Sequence, residues 1–231
     1  LWIGDSGDLY FLMFPNDDDA FVQQALEVGQ SLRVFHRKDE RVNPASDFDC
    51  TAENGEVTIT DYTETREHVL IPSEIDGQPV TALADKAFYE KHVTTVVVPD
   101  SVTEIEGNPF KNCKALRTVE LSPNHPLLTV QDGMLIDHVH QRVLRRLTTG
   151  AVCIVPGGIK EIADGAFGRI PELTEITLPG SLEKIGEAAF IYCGMREITI
   201  PKGVAEIARM AFYHCDQLET VHLQEGLRGI G

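Results

Sequence analysis

The chain predicts a repeat solenoid, with parallel strands stacked along one face and short turns along the opposite one. Three observations carry that expectation. An aliphatic–proline pair recurs at Ile71-Pro72, Val98-Pro99, Val155-Pro156, Leu178-Pro179 and Ile200-Pro201, and Leu121-Ser122 and Leu223-Gln224 hold the same slot without proline. A phenylalanine after a small residue or proline recurs at Phe88, Phe110, Phe167, Phe190 and Phe212, and an aliphatic residue stands five positions before each: Leu83, Ile105, Ile162, Ile185 and Ile207. The period is 22 or 23 residues, except for one step of 57 between Phe110 and Phe167. That step hides an insertion.

The elements follow in chain order. Residues 9–14 suit a strand. Phe21, Ala25, Val28, Leu32 and Phe35 fall at helical spacing, and Asp17, Asp18 and Asp19 sit where the helix dipole favours negative charge. Residues 1–46 are thus expected as a strand plus an amphipathic helix. They either cap the first coil, whose apolar layer needs a cover, or end an upstream domain. Asn54-Gly55 reads as a tight hairpin turn.

Within each unit, residues 173–178 show the pattern best. Ile176 and Leu178 face one way and Glu175 and Thr177 the other, which is the period of a half-buried strand. Proline then ends the strand because it cannot donate to a ladder. The stretch from Ile185 to Phe190 is too short for a free-standing helix and suits one helical or 3₁₀ turn. One unit has too little apolar surface to fold alone, so stacked units share a column of Ile, Leu and Phe. The C-terminal residues 227–231 repeat residues 182–186 and stop before the next Ala-Phe turn, so the natural chain is expected to continue.

Residues 47–231 resemble the BspA-type leucine-rich repeats of bacterial surface proteins, whose pattern is LxxIxLPxxLxxIgxxAFxxC. Residues 47–88 are similar to that family's opening unit, and residues 124–150 to a hairpin that such arrays carry between units. The resemblance implies a right-handed leucine-rich-repeat solenoid with its parallel sheet on the concave face and short helical or 3₁₀ turns on the convex one. It also implies a cell-surface or secreted location and a non-enzymatic binding role, in adhesion or host–microbe contact.

Composition narrows the function classes. The 231 residues are 42% hydrophobic and 24% charged, ordinary values for a folded domain. With 20 basic against 36 acidic residues the net charge is −16, which disfavours binding to nucleic acid. No apolar run reaches the roughly 18 residues of a membrane-spanning helix. The chain opens at Leu1 with no signal segment, which reads as a mature or trimmed form.

Candidate chemistry is sparse. Gly4-Asp5-Ser6-Gly7 resembles the opening of a lipase-like hydrolase family, with Asp137 and His140 as its closing pair, but that pair falls in the insertion and no α/β hydrolase pattern surrounds it. A polar turn before the first strand is the plainer reading of Ser6. Cys113, Cys193 and Cys215 each stand three residues after a repeat phenylalanine, where another unit has Ile170, so the slot wants an apolar filler. Cys193 and Cys215 lie on neighbouring coils, but splaying of the convex side works against a disulfide. Cys153 takes an inward strand position. His138 and His140 flank Val139 in the expected hairpin turn without an identifiable further metal ligand, so no metal and no cofactor are expected.

The binding candidates lie on the concave strands in two outward columns. One reads His68, Thr95, Thr118, Val152, Glu175, Glu197 and Thr220; the other reads Leu70, Val97, Glu120, Ile154, Thr177, Thr199 and His222. Seven strands at about 4.8 Å span roughly 30 Å, room for a protein segment, a peptide or a glycan. Thr and Val are also simply good strand formers on an exposed sheet. The expected function is a protein-binding scaffold, with a structural stalk as the alternative and a hydrolase using Ser6 as a second.

Overall fold

The computed structural model describes residues 2–3, 9–12, 32–35 and 42–231. Two compact units divide the chain, Leu1–Arg41 and Val42–Gly231. In the first, Trp2–Ile3 pairs antiparallel with Leu9–Leu12, which pairs parallel with Leu32–Phe35. Of the strand expected over residues 9–14, Leu9–Leu12 forms a strand and the other two residues lie outside the described ones. Leu32 and Phe35, read above as the end of a helical stripe, instead lie in a strand. Leu32 and Val34 flank Arg33 at the spacing of a strand, while Leu32 and Phe35 stand three apart as on a helix, so this four-residue stretch fits either period. The rest of that expected helix and the Ser6 motif lie outside the described residues.

The second unit opens on the hairpin Phe48–Glu53/Glu56–Tyr62, with Glu53 opposite Glu56. Asn54 and Gly55 both take positive φ (54° and 83°), the geometry a two-residue hairpin turn demands. From there each coil crosses two strand faces. The long-strand face carries His68–Leu70, Thr95–Val97, Thr118–Glu120, Val152–Ile154, Glu175–Thr177, Glu197–Ile200 and Thr220–Leu223. The short-strand face carries Glu104–Ile105, Glu161–Ile162, Lys184–Ile185, Glu206–Ile207 and Gly229–Ile230, all paired in parallel.

The third side holds the Ala-Phe segments, and here the expected helical turns are replaced by chained tight turns. The N–H groups of Ala189, Ile191 and Cys193 donate three residues back, to Gly186, Ala188 and Phe190. Those of Ala188, Phe190 and Tyr192 donate to Arg209, Ala211 and Tyr213 of the next coil. Alternate donors thus serve the neighbouring coil, and left-handed Ala188 and Tyr192 (φ 53° and 58°) stop a helix from propagating.

The phenylalanine ladder is present but split. Tyr62, Phe88 and Phe110 stack with centroids 5.5 and 5.4 Å apart, Phe48 lies tilted against Tyr62 at 5.5 Å, and Phe167, Phe190 and Phe212 form a second stack at 5.4 and 5.5 Å. Between the stacks stands the insertion, which is a three-stranded meander rather than one hairpin: Leu128–Gln131, Met134–Asp137 and Arg142–Arg146. Its last strand joins Glu161–Ile162 in parallel. Both faces are buried, because Leu135 and Leu144 pack in the first core while Met134, Ile136 and Val143 pack in the second.

Polar side chains tie this wall to both blocks. Asn108, fully buried, donates through Nδ2 to the carbonyls of Leu144 (2.7 Å) and Asp164 (2.6 Å) and accepts from the Phe110 N–H (3.0 Å). Arg142 donates to the carbonyls of Ile105 and Gly107, and buried Arg145 to those of Gly165 and Gly168. Desolvation lowers the Arg145 pKa to about 10.

Buried His125 fastens the insertion's first strand. Its Nδ1 accepts the N–H groups of Leu127 and Leu128 (3.2 and 3.1 Å), which leaves the proton on Nε2, 3.2 Å from the Pro99 carbonyl. Desolvation lowers its pKa below the ordinary 6.5, against Asp100 and the Pro99 carbonyl, which raise it, and His138, which lowers it further. The unfolded ring thus takes up a proton at a higher pH than the folded one. This contribution to stability is complete above about pH 6.5 and declines as the pH falls through that value towards the folded pKa. We expect the stability gap between the parent and His125→Asn to narrow from about pH 7.5 to about pH 5. An unchanged gap in denaturation midpoints would refute the role of the neutral ring.

The cysteines are free. Their slot is more than an apolar filler, because the thiols of Cys113, Cys193 and Cys215 donate to the carbonyls of Phe88, Phe167 and Phe190 one coil back (2.8, 3.1 and 3.0 Å). Burial pushes the thiols of Cys113 and Cys193 up to about 12, so little thiolate forms near neutrality. Titration with a thiol reagent should find half-buried Cys50 reacting first and the repeat cysteines only after denaturation. Fast labelling of Cys113 or Cys193 in the native chain would contradict this.

Candidate functional site

The outward columns take the registers that alternation predicts. His68, Thr95 and Thr118 are neighbours, as are Leu70, Val97 and Glu120. Val152 lies beside Glu175 and Ile154 beside Thr177; Glu197 lies beside Thr220 and Thr199 beside His222. Thr118, Glu120 and all eight residues from Val152 onwards are exposed. His68, Thr95 and Val97 are half-buried.

Leu70 departs from the expectation of an outward apolar column: it is buried, at 6% exposure. Its strand edge is taken up by Asn43, whose N–H donates to the Leu70 carbonyl (3.2 Å) and whose Oδ1 accepts the Leu70 N–H (2.8 Å). The exposed aliphatic residues of the columns are Val152 and Ile154, at 56% and 66%.

A continuous seven-stranded sheet is likewise not what forms. The long-strand face divides into sheets of three, two and two strands. The meander separates Thr118–Glu120 from Val152–Ile154, and no ladder joins Glu175–Thr177 to Glu197–Ile200. At that second break lies a groove of about 550 Å³. Glu175, Glu197 and Glu219 line it together with Arg196 and the hydroxyls of Thr177 and Thr199. His222 Nε2 stands 3.9 Å from Glu197 Oε2, the one basic side-chain nitrogen within 4 Å of these carboxylates among the described residues.

The other singled-out residues serve the fold. Asp137 is fully buried, and its oxygens accept the His140 N–H (2.8 Å), contact His140 Nδ1 (2.8 Å) and accept the Arg142 Nε–H (2.9 Å). The carboxylate is thus committed to closing the turn that holds His138 and His140. Among the described residues no group of three or more His, Cys, Asp or Glu side chains is placed to hold a metal ion. The residues that sequence reasoning missed are Asn108, His125, Arg142 and Arg145. Asn108 and Arg145 stand in segments whose pattern reads as turn and strand, and only the neighbouring backbone explains their burial.

Residues 80–134 and 151–231, more than half of the chain, match the BspA type leucine rich repeat region in 6 copies. Among solved structures the chain is similar to a leucine rich repeat protein of T. pallidum, TpLRR. The two are 26% identical, 82% of this chain and 83% of that one are covered, and the TM-score is 0.47. It is similar to a leucine-rich repeat protein from Eubacterium ventriosum at 18% identity, covering 80% and 72% with a TM-score of 0.52. The pneumococcal vaccine antigen PcpA follows at 15% identity, covering 83% and 78% with a TM-score of 0.51. The last two share the fold of the stacked coils. No curated protein matches the chain.

Proposed function

The chain belongs to the BspA-type leucine rich repeat family, and from that premise we propose a non-enzymatic protein-binding scaffold that works through its long-strand face. The observation that carries this reading is the run of exposed side chains from Val152 to His222, in register within each of two strand pairs and bordering a groove. An exposed apolar pair beside hydroxyl and carboxylate groups is the makeup of a contact surface rather than of a packed one. The scaffold reading also accounts for the rigid coil-to-coil hydrogen bonding, which holds the surface in place before a partner arrives.

A cell-surface or secreted location, with a role in adhesion or host–microbe contact, is the setting we propose from the family's occurrence in bacterial surface proteins. No helix among the described residues is long and apolar enough to cross a membrane. The test combines two measurements. Antibody against the chain should label intact cells of its host, and the chain should bind at least one member of a panel of immobilised extracellular proteins. Thr177→Arg with Thr199→Arg, both exposed and remote from the core, should abolish that binding while leaving the fold intact. Equal binding by parent and variant would reject the long-strand face. An inert parent would favour a structural stalk instead.

A further inference from the structure

The groove differs from the rest of the repeat surface in how its charges are arranged. On the short-strand face, stacked acids alternate with a base. Lys184 lies in register between Glu161 and Glu206, its Nζ 2.9 Å from Glu161, and Lys160 reaches Glu183 at 3.6 Å. On the turn side, buried Lys111 stands 3.5 and 3.7 Å from Asp164 and Glu187. In the groove the order changes: Glu175 and Glu197 are exposed on successive coils, Arg196 stands one coil back from Glu219, whose N–H donates to its carbonyl (2.8 Å), and His222 lies 3.9 Å from Glu197. Like charges on neighbouring strands oppose pairing, and no ladder joins the strand that carries Glu175 to the one that carries Glu197. Charge alternation is available to these coils and is used on their other faces. Glu175 has no ion pair among the described residues, and Glu197 has only the long contact with His222, so the groove keeps negative charge for a cation from outside.

We propose that the groove receives an extended basic segment of a partner protein. Lysine or arginine side chains of that segment meet Glu175, Glu197 and Glu219, and an aliphatic side chain rests on Val152 and Ile154. The inference rests on the scaffold reading and names its partner class. A segment laid across the strands meets a new coil about every 4.8 Å, and its same-side residues recur about every 6.8 Å. Flexible lysine or arginine arms take up that difference. The net charge of −16 repels acidic competitors and speeds the approach of basic ones.

The probe is an acetylated, fluorophore-labelled heptapeptide, VTKTKTK, compared with its glutamine counterpart, VTQTQTQ, by fluorescence anisotropy on the whole chain. We expect the lysine peptide to bind, more weakly as salt is added, and the glutamine peptide to bind at least about tenfold more weakly. Glu175→Gln with Glu197→Gln should raise Kd about tenfold. Glu104→Gln with Glu106→Gln, exposed acids away from the groove, should leave it unchanged. Absent binding, equal binding of the two peptides, or an equal loss in the control pair would overturn the proposal. If the glutamine peptide binds as well and Thr177→Arg with Thr199→Arg removes it, the scaffold reading stands and the basic partner alone fails.

Discussion

Replacing Phe190 by Ala is expected to cost about 3–5 kcal/mol, the largest effect of any single truncation in the second core. The ring is fully buried and stacks on Phe167 at 5.4 Å and on Phe212 at 5.5 Å. Its removal leaves a cavity that collapse cannot fill, because the backbone on both sides is pinned. The Phe167 N–H donates to Ala189 (2.8 Å) and the Phe190 N–H to Ala211 (2.9 Å). Phe212 has one stacking neighbour and is only half-buried, so Phe212→Ala should cost clearly less. Urea midpoints of the two variants against the parent check both size and order. Parent-like stability of Phe190→Ala would refute the stacked column as the core's main support.

The second large effect is expected at Asn108, where Asn108→Asp should destabilise by roughly 3 kcal/mol or more. The change keeps the shape and removes two donors, setting a buried carboxylate against the carbonyls of Leu144 and Asp164. Losing a partner while a buried polar group remains costs about 1–3 kcal/mol per group, and more when charge is involved. Because the side chain bridges Leu144 in the meander and Asp164 beyond it, the effect should reach further than one coil. The two blocks, each with its own aromatic stack, should lose their cooperativity and unfold in two steps. Asn108→Ala should show the same separation with a smaller shift, since it orphans the same groups without adding charge. One unbroken transition at the parent midpoint for Asn108→Asp would remove the bridging role.

Two kinds of information were present in unequal measure along this chain. Repeated landmarks determined the coils, the inward phenylalanines and the alternation of the outward columns. Each of these depends on periods of 2 or about 22 residues, which a linear sequence displays directly, and the hairpin at Asn54-Gly55 was legible from its turn residues. Tertiary structure alone decided the rest. The insertion's role as a wall between two cores depends on which neighbour each of its strands meets, and residues 124–150 have no repeat partner to compare with. The strand edge at buried Leu70 is taken up by Asn43, 27 residues away, a partner that the repeat pattern does not contain. The groove depends on a ladder that fails to form between two strands that both open with Glu-Ile-Thr. Periodicity says which way a side chain points within its own coil; hydrogen bonds and cover between coils are set by distances that one coil's sequence does not contain.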